Sequence, residues 1–487
     1  MTVNYYLKCP VCGSVTLMRS PAGYVEKTPV RVHCGDCETL MTGEFIANSK
    51  TLSCHFEPIN CPLSTTNFDI SYYGEASGEM LVHKICALDT DVSFILPTPV
   101  IINMFDIEIE DRENYVDYVC YISDLSSNWD KHSILYQLFQ NEKYDLIKSK
   151  YLDAAQEWKC DLSSDYEIQR FIHLEYLYDF NYLFGKKKFK SILSQINYEI
   201  THLDKRALNT FILDVLSNEK IKFVQQKMFK IMNSYISIAL NLMPALSVNF
   251  YKKERQPNLE QYGMSTCSFY DIKNFYLDSF ESLATCCDII KCLDNIKYRG
   301  GYDEFGTKMN LDKFNNNTKN GNRVKELKEK EFFSEIFGVT DKSYELRNAI
   351  GHGDFDYNGL SQKISYKSNN QQQENDCCKY LVDVAIECIE QMKSSIVLEL
   401  IMFELIREKC RTANEVFRIH PVFYKKVQGK NHCPCGSGKK YSKCCRMWNE
   451  NNAKSIKNFK LPSKSNMRFS IDDLPNLIKK YNKAIEK

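Results

Sequence analysis

The stretch Tyr344-Glu-Leu-Arg-Asn-Ala-Ile-Gly-His-Gly-Asp-Phe-Asp-Tyr357 decides how the helical part of this chain is interpreted. On a helix, with about 100° of rotation per residue, one face collects the apolar side chains of this stretch, Leu346, Ala349 and Ile350. Such a stripe predicts a helix that packs against a bundle core. Gly351 and Gly353 mark the C-terminal end of the helix, since glycine is common where helices stop.

The polar side chains of the same helix lie away from the apolar stripe. Asn348 and His352 are four residues apart and share the opposite face, with Arg347 beside them. A guanidinium offers a planar fork of donors that matches a phosphate, and an imidazole titrates near neutral pH and can move protons. The spacing therefore predicts that these three groups converge at an exposed helix end.

Helical periodicity continues on both sides of this stretch. Apolar residues recur at spacings of three and four from about 130 to 251. Short runs of Tyr, Val, Ile and Phe predict strands earlier in the chain, at 68–72, 92–96 and 115–122. The other predicted elements are helices at 258–297 and 377–411, a hairpin around Asn358-Gly359, and polar loops at 300–323 and 368–376.

The sequence here resembles the HEPN family, whose ribonuclease members carry the motif R-N-x-x-x-H; its three fixed positions are occupied by Arg347, Asn348 and His352. The resemblance implies a four- or five-helix bundle that usually dimerises and brings two copies of the motif together. It implies RNA cleavage without a metal ion, in which the 2′-OH attacks the adjacent phosphorus and leaves a 2′,3′-cyclic phosphate. His352 would be the general acid or base, Arg347 would stabilise phosphoryl charge, and Asn348 would orient the pair.

The same three residues also allow a structural interpretation. Arg347 then pairs with a nearby carboxylate and His352 caps its helix. Several HEPN domains are non-catalytic binders or scaffolds, so the resemblance by itself leaves both interpretations open.

The first cysteine group is Cys9-Pro-Val-Cys12 with Cys34-Gly-Asp-Cys37. Two C-x-x-C pairs separated by about twenty residues are the layout of a four-cysteine zinc ribbon, because each tight turn aims two thiolates at one point. Gly13 and Gly35 are expected to supply the backbone freedom of the two turns, with a hairpin of residues 16–18 and 30–33 between them. His33 is expected to flank the site rather than to replace a cysteine, and Cys54 and Cys61 to be ordinary thiols.

The second cysteine group closely resembles the SEC-C motif, with the pattern C-x-C, eight residues, then C-C. The resemblance implies one structural zinc ion held by Cys433, Cys435, Cys444 and Cys445. Such a short segment needs its metal in order to fold. The resemblance to the SEC-C motif also implies a docking module for a protein, the ribosome or nucleic acid.

Charge is distributed unevenly along the 487 residues. Residues 421–487 contain 16 Lys or Arg against 4 Asp or Glu, a net charge of +12, whereas the whole chain carries only +1. A basic tail on an acidic body indicates a tether for an anionic partner such as RNA, or for the body itself. Residues 470–487 are predicted to form an amphipathic helix that either binds such a partner or folds back on the protein.

Composition excludes several protein classes. Hydrophobic residues make up 44% and charged residues 26% of the chain, which is typical of globular proteins. No uninterrupted apolar run predicts a membrane span, and no export signal is visible. An odd number of cysteines, 21, argues against a disulfide framework. We therefore expect a cytoplasmic protein.

The predicted fold class is mainly α with a smaller β-containing N-terminal part. The predicted segments are a zinc ribbon at 1–61, a β-rich or mixed region at 62–129, a helical region at 130–255, a HEPN-like bundle at 256–412, a linker at 413–430, the SEC-C motif at 431–447 and a basic tail at 448–487.

Two functions are consistent with this organisation. One is a HEPN endoribonuclease serving as a bacterial toxin or anti-phage effector, with two structural zinc modules for target or partner binding. The other is a non-catalytic adaptor that bridges a protein or the ribosome to nucleic acid. A DNA-acting metalloenzyme is disfavoured, because the sequence contains no H-E-x-x-H and no Walker A motif.

Overall fold

The structure is a computed structural model. It describes residues 2–48, 53–64, 69–88, 107, 109–157, 160, 162–184, 186–306, 309–339, 342–367, 376–416, 428–433, 439–444 and 446.

Two β-hairpins form the N-terminal part. β1 (Thr2–Lys8) pairs antiparallel with β2 (Val15–Pro21). β3 (Lys27–His33) pairs antiparallel with β4 (Leu40–Asn48), which also pairs with β5 (Ser53–Pro58). Side chains alternate between buried and partly exposed positions along β4, as expected of a strand with one face on a core. That core contains Leu7, Met18, Val30, Met41 and Phe45.

The hairpin predicted between residues 16–18 and 30–33 is wrong, although both segments are strands. β2 instead pairs in parallel with β6 (Ile70–Glu75), which pairs in turn with β8 (Cys86–Ala87). β3 belongs to the other sheet. The physical reason is that each C-x-x-C turn closes a hairpin of its own, so the two cysteine pairs lie at the tips of two different hairpins.

A long helix replaces the strand predicted at 115–122. α1 (Ile109–Gln140) begins 21 residues before residue 130, where the helical region is predicted to start. Tyr115, Val116, Val119 and Ile122 are all buried at helical spacing, so packing on one helix face overrides the β preference of these residue types. The strand predicted at 68–72 is found in part, since β6 begins at Ile70, and residues 92–96 lie outside the described residues.

The helical part continues to residue 412. Its further helices are α2 (Tyr144–Lys150), α3 (Leu152–Glu157), α4 (Asp165–Phe180), α5 (Lys186–His202), α6 (Lys205–Asp214), α7 (Asn218–Ser247), α8 (Phe269–Ala284), α9 (Cys287–Arg299), α10 (Leu311–Asn317), α11 (Asn320–Lys325), α12 (Phe332–Phe337), α13 (Lys342–His352) and α14 (Leu381–Thr412).

α14 is the central helix of this part and packs against α5, α7, α8 and α12. It is apolar on most sides, as expected of a helix surrounded by others. Its two mid-helix acids are buried and hydrogen-bonded: the Gln225 amide donates to Glu399 at 2.9 Å, and the Asn197 amide donates to Glu404 at 3.1 Å. The helix predicted at 377–411 is thus confirmed apart from its first residues.

Short strands connect the helical part to the N-terminal sheets. β7 (Val82–His83) pairs with β9 (Tyr262–Gly263). β10 (Phe355–Asn358) and β11 (Lys363–Lys367) form the hairpin predicted around residues 358–359, and β12 (Asp376–Tyr380) extends it to three strands. The hairpin begins directly after α13 and leads into α14.

The loop predicted at 300–323 contains helical turns instead. α10 and α11 lie within or overlap it. Phe314 and Val324 are buried, and the Arg323 guanidinium donates to the carbonyl oxygens of Phe314 and Thr318, each at 3.1 Å. These contacts order a segment whose composition alone suggests a loop.

One of the described helices is long and apolar enough, by length and composition, to cross a membrane. It comprises α7 with its 3-10 extension, Asn218–Phe250, and 61% of its most apolar window is buried inside the protein. The expectation of no membrane span is therefore neither confirmed nor contradicted. A core helix of a globular protein passes the same test, so the helix leaves the question of a membrane span open.

Candidate functional site

The first C-x-x-C turn lies at the tip of the β1–β2 hairpin. Cys9 N–H donates to the Ser14 carbonyl at 2.8 Å, and Gly13 N–H donates to the Cys9 carbonyl at 3.1 Å. Gly13 has φ +80°, which favours glycine. The backbone therefore turns back within six residues and carries Cys9 and Cys12 on the same loop.

The second C-x-x-C turn, between β3 and β4, repeats the same bonding. Cys34 N–H donates to the Thr39 carbonyl at 2.9 Å, and Glu38 N–H donates to the Cys34 carbonyl at 3.0 Å. The residue in the left-handed region is here Glu38, with φ +56°. The prediction that Gly35 supplies the backbone freedom of this turn is therefore wrong; Gly13 alone does so, in the first turn.

Gly35 serves a packing role instead. A Cβ atom at this position would lie 2.3 Å from the Tyr72 ring, so only glycine allows that ring of β6 to approach the turn. The Tyr72 hydroxyl donates to Asp36 at 2.6 Å, and this bond lowers the pKa of Asp36. The second turn is thus held against the sheet that contains the first.

The two turns bring four sulfur atoms together. Cys9 Sγ lies 3.5 Å from Cys37 Sγ, and Cys12 Sγ lies 3.5 Å from Cys34 Sγ. All four sulfurs lie within 4.8 Å of one another. Tetrahedral coordination with bonds of about 2.3 Å separates neighbouring sulfurs by about 3.8 Å. The cluster therefore has the donors and the spacing to hold a metal ion such as zinc.

The thiols of the cluster have different surroundings. The hydrogen bond with the Thr39 hydroxyl, at 3.2 Å, lowers the pKa of Cys37 to about 6. Burial raises the pKa of Cys34 to about 12. A divalent ion would deprotonate both, because metal coordination favours the thiolate strongly.

His33 lies beside the cluster and not in it. Its Nδ1 lies 2.8 Å from the Glu38 carbonyl oxygen, and its ring packs so closely on Gly359 that a Cβ there would lie 2.4 Å from it. The ring also meets Tyr357 edge-on, with centroids 6.3 Å apart. His33 therefore joins the second cysteine turn to the β10–β11 hairpin.

The C-terminal cysteine group is described in part. Cys433 is buried and Cys444 is half-buried, whereas Cys435 and Cys445 lie outside the described residues. Two backbone hydrogen bonds join the segments near Cys433 and Cys444. Cys433 N–H donates to the Lys439 carbonyl at 2.8 Å, and Tyr441 N–H donates to the Asn431 carbonyl at 2.8 Å. The described residues on either side of the gap therefore pair antiparallel, with a bridge between His432 and Lys440.

The helix with the Arg-Asn-His motif is α13, and its apolar stripe is buried as predicted. Leu346, Ala349 and Ile350 are 1–6% exposed. The helix stops at Gly353, which has φ +80° and whose N–H donates to the Ile350 carbonyl at 3.3 Å. His352, its last residue, is exposed.

The other two motif residues are more engaged than the sequence suggests. The Arg347 guanidinium forms an ion pair with Glu281 of α8, and its Nη1 donates to the Asn348 amide oxygen at 3.1 Å. Asn348 is buried, not exposed with His352. Arg347 Nε is also buried, without a hydrogen-bond partner among the described residues. The guanidinium is thus already oriented by the protein.

Glu281 is a neighbour of the motif that the sequence does not reveal. Besides Arg347, it accepts a hydrogen bond from the Asn320 amide of α11 at 2.5 Å. It lies 66 residues before Arg347 in the chain, so no local spacing indicates the pair. The pair therefore becomes visible only in three dimensions, where α8 packs beside α13.

Comparison with known proteins finds no relative of this chain. No protein-family model matches the chain, and neither a curated protein nor a solved structure does. The likeness to the HEPN and SEC-C motifs consequently rests on the motif residues alone.

Proposed function

We propose that this chain is a metal-independent endoribonuclease of the HEPN type, with Arg347, Asn348 and His352 as its active site. The observation that carries the proposal is their placement on the last turns of α13, where His352 is exposed and Arg347 is oriented by Asn348. A phosphate-binding fork and a titratable group then lie at one helix end.

The reaction requires two proton transfers. The RNA 2′-oxygen loses its proton as it bonds to phosphorus, and the 5′-oxygen gains one as its bond to phosphorus breaks. His352 can serve in one of these roles at a time. A second copy of the motif, supplied by a homodimer, provides the other role, and Arg347 stabilises the charge on the non-bridging oxygens.

Glu281 defines the resting state of this site. Arg347 exchanges Glu281 for a phosphate oxygen when RNA binds. The pair is partly exposed, with 24% of the Arg347 side chain and 36% of the Glu281 side chain accessible, and pairs of this kind contribute about 0–1 kcal/mol. Breaking the Arg347–Glu281 ion pair therefore costs little free energy, and Glu281 keeps the guanidinium in place until the substrate binds.

The N-terminal cysteine cluster is a structural zinc site in this proposal. Zinc would hold the second cysteine turn, which contacts the β10–β11 hairpin through His33 on Gly359 and through the Asn358 amide on Glu38 at 3.5 Å. This hairpin follows α13 directly. Loss of zinc would thus loosen the segment that anchors the motif helix.

The C-terminal module completes the proposed architecture. Cys433, Cys435, Cys444 and Cys445 would bind a second structural zinc ion, and the basic tail would dock on RNA, the ribosome or a protein partner. We place the protein in the cytoplasm as a toxin or an anti-phage effector. Induction of the wild type should then arrest growth, whereas induction of His352→Ala should not.

The direct test is the chemistry of the RNA ends. Purified full-length protein should cleave single-stranded RNA without added divalent ions and leave 2′,3′-cyclic phosphate and 5′-OH ends. A matched RNA with 2′-deoxyribose at the cleaved position should remain intact, because the nucleophile is missing. Cleavage of the deoxy substrate, or 3′-OH ends, would contradict the proposed mechanism.

A second candidate function is the non-catalytic adaptor. The observation that favours it is the Arg347–Glu281 ion pair together with the burial of Asn348, which is the arrangement expected of a purely structural motif. RNA binding without any cleavage, unchanged in His352→Ala, would support the adaptor over the nuclease.

A further inference from the structure

Three side chains with metal-ligating groups meet between α1 and α4, away from the sites described above. His132 of α1 lies against Glu175 and Asp179, which are four residues apart on one face of α4. One ligand atom from each lies within 4.8 Å of the others. Glu175 and Asp179 are buried, whereas 24% of the His132 side chain is exposed.

Asp179 gives the independent indication of a ligand. Its Oδ2 lies 2.9 Å from His132 Nδ1 and accepts a hydrogen bond from the Tyr136 hydroxyl at 2.8 Å. Its Oδ1 is buried without a hydrogen-bond partner among the described residues. A buried carboxylate oxygen without a donor is costly, and a cation at this position would remove the cost.

We infer that His132, Glu175 and Asp179 bind one divalent transition-metal ion. Two carboxylates carry the charge that balances a divalent cation, and an imidazole with carboxylates is a donor set typical of Mn²⁺ or Zn²⁺. In octahedral coordination with bonds of about 2.1 Å, adjacent ligands lie about 3.0 Å apart, close to the 2.9 Å between Nδ1 and Oδ2.

The surroundings suit such a site. The Tyr136 hydroxyl, one helical turn from His132, orients the Asp179 carboxylate, as hydrogen-bonding neighbours of metal ligands commonly do. The Trp129 ring lies parallel to the His132 ring, with centroids 6.4 Å apart, and covers one face of the imidazole. The exposed edge of His132 leaves access for water as a further ligand. The ion would join α1 to α4.

Mn²⁺ is the best probe, because thiolates bind it poorly and the cysteine clusters will not compete. Full-length protein that carries no more than two zinc ions per chain, the number that the two cysteine groups would hold, is titrated with Mn²⁺, and the electron paramagnetic resonance signal of free Mn²⁺ is followed. Wild type should bind one Mn²⁺ per chain. Asp179→Asn and Glu175→Gln should each weaken binding at least about tenfold, and Tyr136→Phe should weaken it about tenfold.

Asp124→Asn is the matched control. Asp124 is exposed on α1, and its charge acts on His132, but it offers no ligand to the cluster. Its substitution should change Mn²⁺ affinity less than about twofold, since exposed charges are screened. An equal loss in Asp124→Asn and Asp179→Asn would mean that general charge, not ligation, attracts the ion.

Stability provides a second measurement. Mn²⁺ should raise the melting temperature of wild type and leave that of Glu175→Gln unchanged. The Glu175→Gln variant keeps the His132–Asp179 contact, so it remains a test if Asp179→Asn does not fold. Wild-type protein that binds no Mn²⁺, or variants that bind it as tightly as wild type, would overturn the inference. The three groups would then be an ion pair of a protonated His132 with two carboxylates.

Discussion

The cysteine cluster at the N-terminus and the Arg347–His352 helix differ in how their functional groups are held. In the cluster, each pair of cysteines lies on a turn closed by two backbone hydrogen bonds within six residues, and the two turns have the same bonding. In α13, the guanidinium is held by Glu281, which belongs to another helix. The first geometry is local, and the second depends on tertiary packing.

This difference has a functional consequence. The sulfurs of the cluster are already close enough together to hold a metal ion, so an ion would complete a site that the backbone has formed. Arg347 instead already has a protein partner, Glu281, which a phosphate would have to replace in the proposed mechanism. A locally built site is suited to a permanent staple, whereas a site that must exchange one partner for another is suited to a transient substrate.

The largest effect is expected from breaking the cluster. Cys34→Ser should remove one of two zinc ions per chain and unfold the N-terminal sheets, because structural zinc sites contribute about 10–16 kcal/mol of apparent binding free energy in isolated fingers. Elemental analysis and hydrogen exchange of β1 to β5 check this, and hydrogen exchange of β10 and β11 shows whether the hairpin that contacts the second cysteine turn loosens as well. Cys61→Ser, a buried cysteine of the same core outside the cluster, should retain both zinc ions.

A large effect is also expected from the packing of α13. Leu346 is 1% exposed, so Leu346→Asp should lower the free energy of unfolding by at least about 3 kcal/mol through a buried carboxylate and lost packing. Leu213 is 74% exposed, and Leu213→Asp should cost about 0.5 kcal/mol or less. Denaturant unfolding of both variants measures the difference; similar values would mean that α13 does not pack on the core.

The C-terminal module should separate from the N-terminal cluster. Deletion of residues 421–487 should leave one zinc ion per chain, since the N-terminal turns make their bonds without it. It also removes a net charge of +12. RNA binding should therefore weaken and depend less steeply on salt. An unchanged salt dependence would place the tail on the acidic body or on a protein partner instead.

The smallest effect is expected at the Arg347–Glu281 pair. Glu281→Gln keeps an oxygen for the Asn320 amide and removes the charge opposite Arg347. Stability should fall by less than about 1 kcal/mol, while RNA should bind more tightly. Glu331→Gln, which acts on the Arg299 ion pair elsewhere, should leave RNA affinity unchanged. Weaker RNA binding by Glu281→Gln would show that the carboxylate positions Arg347 rather than competing for it.

The contrast between the two sites also explains what the sequence could predict. The positions of Cys9, Cys12, Cys34 and Cys37 follow from spacing, because a tight turn fixes each pair. The pairing of the strands did not follow, since β2 finds its neighbour β6 across fifty residues. The role of Gly35 could not be predicted either, because position 35 requires glycine only where the Tyr72 ring packs against it.

For α13, periodicity predicted the buried stripe and the glycine at the helix end. It placed Asn348 on the exposed face, yet Asn348 is buried, because neighbouring elements cover more of the helix than its apolar residues indicate. Glu281 and the His132–Glu175–Asp179 cluster arise from contacts between distant helices. Acids four residues apart on one helix, as at 175 and 179, were the only local signal.

The central claim is that the Arg-Asn-His helix is catalytic, and the rate of RNA cleavage by His352→Ala tests it most directly. His202 is the matched control, since it too is an exposed histidine at the end of a helix. Neither substitution should harm its helix, because alanine is the better helix former. The account predicts that His352→Ala lowers the single-turnover rate at least about 100-fold while His202→Ala cleaves like wild type. Equal rates for wild type and both variants would contradict it.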